Sequence, residues 1–82
     1  MSEVTDRRES THGSYRRTAS ISQQLKNVLQ SNAHEKWVEL TNRQRESLEM
    51  ICVKIARIMS GDHYEKDHWL DIAGYAELAV KE

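Results

Sequence analysis

The sequence predicts an all-α fold, a small three-helix domain whose last two helices form an antiparallel hairpin. The 82 residues contain no proline and only three glycines, and these are the residues that most often interrupt helices. Apolar residues recur at spacings of three and four along most of the chain, which is the period of one helical face. No stretch shows the strict alternation that indicates a strand.

The first part of the chain divides into an arm and a helix. Residues 1–13 are polar and lack an apolar period, so we interpret them as a flexible arm that precedes a helical domain over residues 14–82. Ile21, Leu25 and Val28 share one face of a helix over about 15–30. Ser14 or Thr11 can cap its start, because a hydroxyl oxygen accepts from a free backbone N–H.

The second helix, over about 41–60, has the clearest start signal. Thr41 and Gln44 match a capping box, in which each side chain accepts from the backbone of the other residue. Gly61 predicts the end of this helix in a left-handed cap.

The third helix is predicted over about 67–81, with Asp67 as its N-cap. Its residues are apolar around much of the circumference, which indicates burial on more than one side. The short connection after Gly61 makes this helix the antiparallel neighbour of the second.

Size and composition limit the oligomeric state, the location and the partners that we expect for the chain. A chain of 82 residues with 30% charged residues has a small core, and Cys52 is its only cysteine, so we expect a homo-oligomer without an intrachain disulfide. A lone cysteine, no export signal and no apolar run as long as a membrane span indicate a cytoplasmic protein without membrane contact. The net charge of -1 gives no reason to expect specific DNA binding.

Four carboxylates form the first candidate site. Glu46 and Glu49 share a face of the second helix, and Asp67 and Asp71 share a face of the third. Paired carboxylates across a hairpin can hold Mg²⁺, which prefers oxygen ligands. The alternative is that these residues are solvated surface and that Asp67 is only a cap, in which case no cofactor is expected.

Lys54 and Arg57 form the second candidate site. Their charge is opposite to that of Asp71, which predicts an ion pair across the hairpin with Asp71 buried. The functional alternative is capture of an anion or phosphate, for which arginine is suited by its bidentate fork. Tyr75 joins these residues as a candidate ligand contact.

The segment before the first helix is the third candidate site. It offers an imidazole, a glycine turn, a phenol and two guanidinium groups, from His12, Gly13, Tyr15, Arg16 and Arg17. A helix N-terminus binds anions through free N–H groups, so a phosphate or nucleotide can bind here. The alternative is a flexible basic arm without a site.

We expect structural roles, not catalytic ones, for the remaining histidine and cysteine side chains. His34, His63 and His68 lack zinc-ligand spacing with Cys52, and we expect them at the surface. Cys52 lies on the apolar stripe of the second helix and is expected to be buried. No pattern predicts a catalytic residue.

The sequence resembles two protein families, one implying an origin and the other an activity. The chain resembles, over about residues 7–80, a family of small tailed-phage and prophage proteins with no assigned activity. The most specific matching positions are Lys54, Arg57, Asp67, Asp71, Gly74 and Tyr75. This resemblance implies a phage protein that acts in the host cytoplasm.

A more distant resemblance is to the all-α, MazG-like nucleotide pyrophosphohydrolases, whose magnesium motif is ExxE followed by ExxD. Glu46 and Glu49 fit the first half and Asp71 fits the final Asp, whereas His68 replaces a glutamate and Asp67 is a possible substitute.

Three functions therefore stand as hypotheses. The first is a non-enzymatic phage accessory protein that binds a nucleotide-like ligand or a host protein, which would counter host defence. The second is a Mg²⁺-dependent nucleoside-phosphate pyrophosphohydrolase. The third is a structural or assembly protein.

Overall fold

The computed structural model describes residues 13–81, and these form four helices. They are α1 (Tyr15–Asn32), α2 (His34–Trp37), α3 (Asn42–Ser60) and α4 (Lys66–Val80). The predicted all-α fold is confirmed, with one additional helical turn, α2, inside the segment expected to link the first two long helices. The predicted arm, except Gly13, lies outside the described residues, as does His12.

The starts of α1 and α3 follow the predicted caps. The Ser14 side chain accepts from the backbone N–H of Arg17, which is the interaction that defines an N-cap. Gln44 N–H donates to Thr41 Oγ1 at 3.1 Å, and Thr41 N–H donates to Gln44 Oε1 at 3.0 Å. Both halves of the capping box are therefore formed, and they fix the start of α3.

The connection between α3 and α4 differs from the prediction at both ends. Gly61 has a φ of −125°, so the predicted left-handed cap is wrong. Its N–H donates to Arg57 O at the end of α3. The predicted cap at Asp67 is also wrong, because Glu65 takes that role. The Glu65 carboxylate accepts from Asp67 N–H, so α4 starts one residue earlier than expected.

Helix α3 is the centre of the fold, since it packs against both α1 and α4. The N-terminal turn of α3 lies beside the C-terminal end of α4, where Arg43 and Lys81 line one groove. Farther along, Lys54 of α3 contacts Asp71 of α4. These contacts run in opposite chain directions, which confirms the predicted antiparallel hairpin.

The core of the described residues is small and partly polar. Its buried apolar residues are Cys52, Ala56 and Ile58, and its buried polar residues are Thr18, Ser22, Ser47 and His68. The expected burial of Cys52 is thus confirmed. The expected surface position of His68 is wrong, because its side chain is 1% exposed, whereas His34 and His63 are exposed as predicted.

Helix α4 is much more exposed than its composition predicts. His68 is its one buried residue, whereas Trp69, Leu70, Leu78 and Val80 are each more than half exposed. The predicted burial on several sides is wrong for a single chain, because α3 is the only long helix of the described part that packs closely on α4. No helix in the described part is long and apolar enough to cross a membrane.

Candidate functional site

A groove of about 490 Å³ lies between the start of α3 and the end of α4. Its lining residues are Arg43, Glu46, Ser47, Tyr75, Leu78 and Lys81. The capping box sets Arg43 in the first turn of α3, and the antiparallel hairpin brings the end of α4 to the same place. We call this the hairpin groove.

The hairpin groove combines an aromatic ring with two cationic groups. Tyr75 is half-buried, Ser47 is buried and Arg43 is exposed. Arg43 has no carboxylate partner within residues 13–81, and Lys81 Nζ lies 3.1 Å from Glu77 Oε1 in a pair whose side chains are both about two-thirds exposed. Exposed pairs of this kind contribute little stability, so Lys81 can exchange its partner. The groove therefore offers a flat apolar wall with positive charge beside it.

The predicted ion pair across the hairpin is present between Lys54 and Asp71. Lys54 Nζ lies 2.9 Å from Asp71 Oδ2. The expected burial of Asp71 is wrong, since its side chain is 47% exposed, and Lys54 is the enclosed member at 12%. Arg57, one turn farther along α3, is half-buried and has no carboxylate partner among residues 13–81. Lys54 is thus used in holding the two helices together.

A second groove, of about 420 Å³, runs along the outer face of α4. Its lining residues are Leu70, Asp71, Gly74, Tyr75, Glu77, Leu78 and Lys81. Apart from its chain neighbours and the nearby backbone of α4, no atom of residues 13–81 lies within 4 Å of the position that a Cβ would occupy at Gly74. Tyr75, Leu78 and Lys81 line both grooves and separate one from the other.

The N-terminal candidates lie at the opposite end of the hairpin. Gly13 has a φ of +80°, and a Cβ there would overlap the backbone carbonyl of Ser60 at the end of α3. Tyr15, Arg16 and Arg17 follow at the start of α1 and are exposed. The distance along α3 from Ser47 to Ser60 is about 20 Å at the helical rise per residue.

The structure consequently places groups of predicted ligand residues at the two ends of the hairpin, with Lys54, Arg57 and Asp71 between them. Gly13 and its neighbours lie at the Ser60 end, whereas Tyr75 lies in the hairpin groove. The two groups cannot contact one small ligand in a single chain.

The four carboxylates proposed as metal ligands are spread along the hairpin. Glu46 lines the hairpin groove, Asp71 contacts Lys54, and Asp67 is exposed in the first turn of α4. Glu49 is half-buried near Cys52. Among residues 13–81 no group of three or more His, Cys, Asp or Glu side chains is placed to hold a metal ion.

The comparison with protein families covers nearly the whole chain. A family model described as a domain of unknown function (DUF6378) matches residues 2–81. The chain belongs to the DUF6378 family. No curated protein and no solved structure matches it. Because the match includes every described helix, both grooves lie within the DUF6378 domain.

Several residues of the hairpin groove in this DUF6378 domain were not predicted from the sequence. They are Arg43, Ser47, Leu78 and Lys81. A signal was available, since a capping box at Thr41 and an antiparallel partner ending near residue 81 together place the ends of these two helices side by side. The ion pair predicted across the hairpin lies farther along α3 and α4, so the residues that meet at the open end of the hairpin were overlooked.

The one cysteine of the domain has a perturbed thiol. Burial raises the pKa of Cys52, Lys26 acts to lower that pKa, and the nearby Glu49 carboxylate raises it further. A neutral, buried thiol is a poor nucleophile. Cys52 is therefore a packing residue.

Proposed function

We propose that this DUF6378 protein is a non-enzymatic binding protein whose ligand is a nucleotide-like anion held in the hairpin groove. The observation that carries the proposal is the presence of Tyr75, Arg43 and Lys81 around one groove. Its volume of about 490 Å³ lies within the usual range for small-molecule sites. An aromatic ring beside cations suits a ligand that has a planar base and a phosphate.

Each group has a distinct part in such a complex. Arg43 can donate two hydrogen bonds to a phosphate, because its guanidinium has no carboxylate partner in the described part of the chain. Tyr75 supplies a ring face for stacking, which is tolerant of the identity of the base. Glu46 accepts hydrogen bonds and so suits a ribose hydroxyl or an exocyclic amine, while Lys81 leaves Glu77 to contact the phosphate.

Calorimetric titration of the full chain with mono-, di- and cyclic nucleotides, with and without Mg²⁺, tests the proposal. We expect saturable binding that Arg43→Gln weakens by at least tenfold. Arg16→Gln is the matched control, since it removes an exposed arginine at the far end of the molecule, and it should change affinity less than twofold.

Two outcomes would contradict the hairpin groove as the site. No heat and no thermal shift at millimolar nucleotide would remove the proposal entirely. An equal loss of affinity in Arg16→Gln would assign binding to the start of α1, where Gly13, Tyr15, Arg16 and Arg17 were predicted to act with His12.

The resemblance to tailed-phage proteins supports a cellular role for this binding. We place the protein in the cytoplasm of an infected bacterium, where capture of a nucleotide signal would counter a defence response. The Mg²⁺-dependent pyrophosphohydrolase is the alternative, in which the ion would bind to Glu46 and to the phosphates of the substrate. Release of phosphate or pyrophosphate that needs Mg²⁺ and is lost in Glu46→Gln would favour that alternative.

A second binding function is favoured by one exposed patch. Tyr64, Trp69 and Leu70 are 80%, 55% and 65% exposed, and they lie beside His63 and Lys66 around a shallow depression. Large aromatic side chains next to a cation are typical of protein interfaces. Capture of a host protein through this patch would be abolished by Trp69→Ala without any change in nucleotide binding.

A further inference from the structure

The outer face of α4 is centred on a glycine that the described chain does not require. Gly74 lies in the middle of a helix, where glycine is less favourable than alanine. No other element of the described part of the chain has an atom within 4 Å of its Cβ position, so no packing contact there explains the missing side chain. A glycine on an open helix face allows another backbone to approach closely.

The residues on either side of Gly74 are arranged symmetrically. Leu70 precedes it by four residues and Leu78 follows it by four, and these leucines are 65% and 53% exposed. Asp67 precedes it by seven residues and Lys81 follows it by seven. Spacings of four and seven keep Asp67, Leu70, Gly74 and Leu78 on one face of α4. Lys81, the C-cap just after α4, lines the same groove as Leu70, Gly74 and Leu78. Along this face the order is therefore Asp67, Leu70, Gly74, Leu78 and Lys81, with an acid at one end and a base at the other.

We infer that a second copy of this chain packs its α4 antiparallel onto this face, about a twofold axis at Gly74. In a twofold interface the same surface serves both subunits, so each residue meets the one at the mirrored distance from the axis. Leu78 then lies beside Leu70 of the partner subunit. Lys81 lies opposite Asp67 of the partner subunit, and the groove along α4 is filled.

Charge selects the antiparallel direction. A parallel pairing would bring each Asp67 and each Lys81 against its own copy, which is repulsive, whereas the antiparallel pairing makes two attractive pairs. The remaining carboxylates of the face, Asp71 and Glu77, lie on its two margins. Asp71 is paired with Lys54, and Glu77 shares Lys81 with Asp67 of the partner subunit. In the antiparallel arrangement the two copies of Asp71 lie on one margin of the contact, and the two copies of Glu77 lie on the other.

The composition of the core explains why a second copy is needed. Within residues 13–81 the buried apolar side chains are Cys52, Ala56 and Ile58, which is little for an independent domain. The leucines of α4 are larger than two of these three residues and are exposed in one chain. Packing them between two copies would give α4 the burial that its apolar composition predicts.

Sedimentation velocity of the full chain as a function of concentration tests this pairing. We expect a dimer of twice 9.6 kDa. Asp67→Lys and Lys81→Asp should each raise the dimer dissociation constant at least tenfold, and the double exchange should restore it to within about threefold. Glu35→Lys, an exposed charge change on α2, is the matched control and should leave association unchanged.

A disulfide formed across the axis gives a second readout. The two copies of residue 74 would lie face to face at the centre, so Gly74→Cys should yield a covalent dimer under mild oxidation. Ala73→Cys is the control, because Ala73 is also exposed but points away from this face. The native Cys52 is buried and should not take part.

The pairing is overturned by a monomer at millimolar concentration, by a double exchange that fails to restore association, or by equal crosslinking of Ala73→Cys. Asp67→Lys separates these outcomes from those for nucleotide binding, because Asp67 does not line the hairpin groove. Lys81 lines both grooves, so nucleotide affinity is compared on the Asp67 variant. A dimer that binds no nucleotide contradicts only the proposed function. A monomer that binds nucleotide contradicts only the pairing.

Discussion

Lys54 of α3 and Asp71 of α4 form an ion pair across the hairpin, with 2.9 Å between Nζ and Oδ2. The two members differ in environment, since the lysine side chain is 12% exposed and the aspartate is 47% exposed. The loss of either partner therefore has unequal consequences. Removing the aspartate leaves an enclosed ammonium without its anion, whereas removing the lysine leaves a carboxylate that water can reach.

Asp71→Asn should destabilise the fold by about 1–2 kcal/mol, because an enclosed charge without its partner is costly. Lys54→Met keeps the apolar stem and should cost less than about 1 kcal/mol. Glu39→Gln is the matched control, since its pair with Lys36 is exposed on both sides, and pairs of that kind contribute roughly 0–1 kcal/mol. Urea unfolding at one low protein concentration measures all three. Equal losses of unfolding free energy in Asp71→Asn and Glu39→Gln would contradict the conclusion that Lys54 needs its partner more than an exposed lysine does.

The capping box at Thr41 should hold the start of α3 and the wall of the hairpin groove. Thr41→Ala should cost about 1 kcal/mol, since it leaves the N–H of Gln44 without its acceptor. Thr41→Ser keeps the hydroxyl and should stay within about 0.5 kcal/mol of the natural protein. Thermal unfolding of the two variants measures the difference. Equal melting temperatures for Thr41→Ala and Thr41→Ser would show that the cap contributes nothing.

The sequence was most informative where the interaction is local. The capping box, the Ser14 cap and the extents of α1 and α3 depend on residues within a few positions of each other, and they were predicted. The choice between Glu65 and Asp67 as the N-cap of α4 was not predicted correctly. Either carboxylate suits an N-cap, and the path of the connection between α3 and α4 determines which one takes that role.

Burial on α4 was the least predictable feature, for a physical reason. An apolar composition shows that Leu70 and Leu78 favour removal from water, but it does not show which element covers them. In the described chain nothing covers them, while His68 on the same helix is buried. The hairpin groove was missed for a related reason, since Arg43 and Lys81 are far apart in sequence and meet only after α3 and α4 pack.

Gly13 should be required for the close approach of its own backbone to the end of α3. Its φ of +80° disfavours any L-residue with a side chain, and a Cβ would overlap the carbonyl of Ser60. Gly13→Ala should therefore destabilise the fold by about 1–3 kcal/mol, whereas Gln23→Ala, at an exposed position of α1, should stay within about 0.5 kcal/mol. Denaturant unfolding compares them. A neutral Gly13→Ala would mean that the close approach of Gly13 to Ser60 does not contribute to the folded state.

Cys52 should react slowly in the native protein and should make stability depend on alkaline pH. Burial raises the pKa of its thiol, so the unfolded chain loses the thiol proton at a lower pH than the folded chain. The contribution to stability is complete below the unfolded pKa and is lost as pH rises through the folded pKa. Unfolding from neutral to alkaline pH should show this loss in the natural protein relative to Cys52→Ala. Identical pH profiles for the two proteins would contradict it.

His68 should contribute more to stability than any other histidine in the described chain. Its side chain is 1% exposed on the face of α4 that packs against the rest of the fold, so truncation leaves a cavity and removes buried polar contacts. His68→Ala should cost about 2–4 kcal/mol by urea unfolding. His34→Ala, an exposed position on α2, should stay within about 0.5 kcal/mol. A His68→Ala variant as stable as His34→Ala would show that the α3–α4 contact does not depend on this residue.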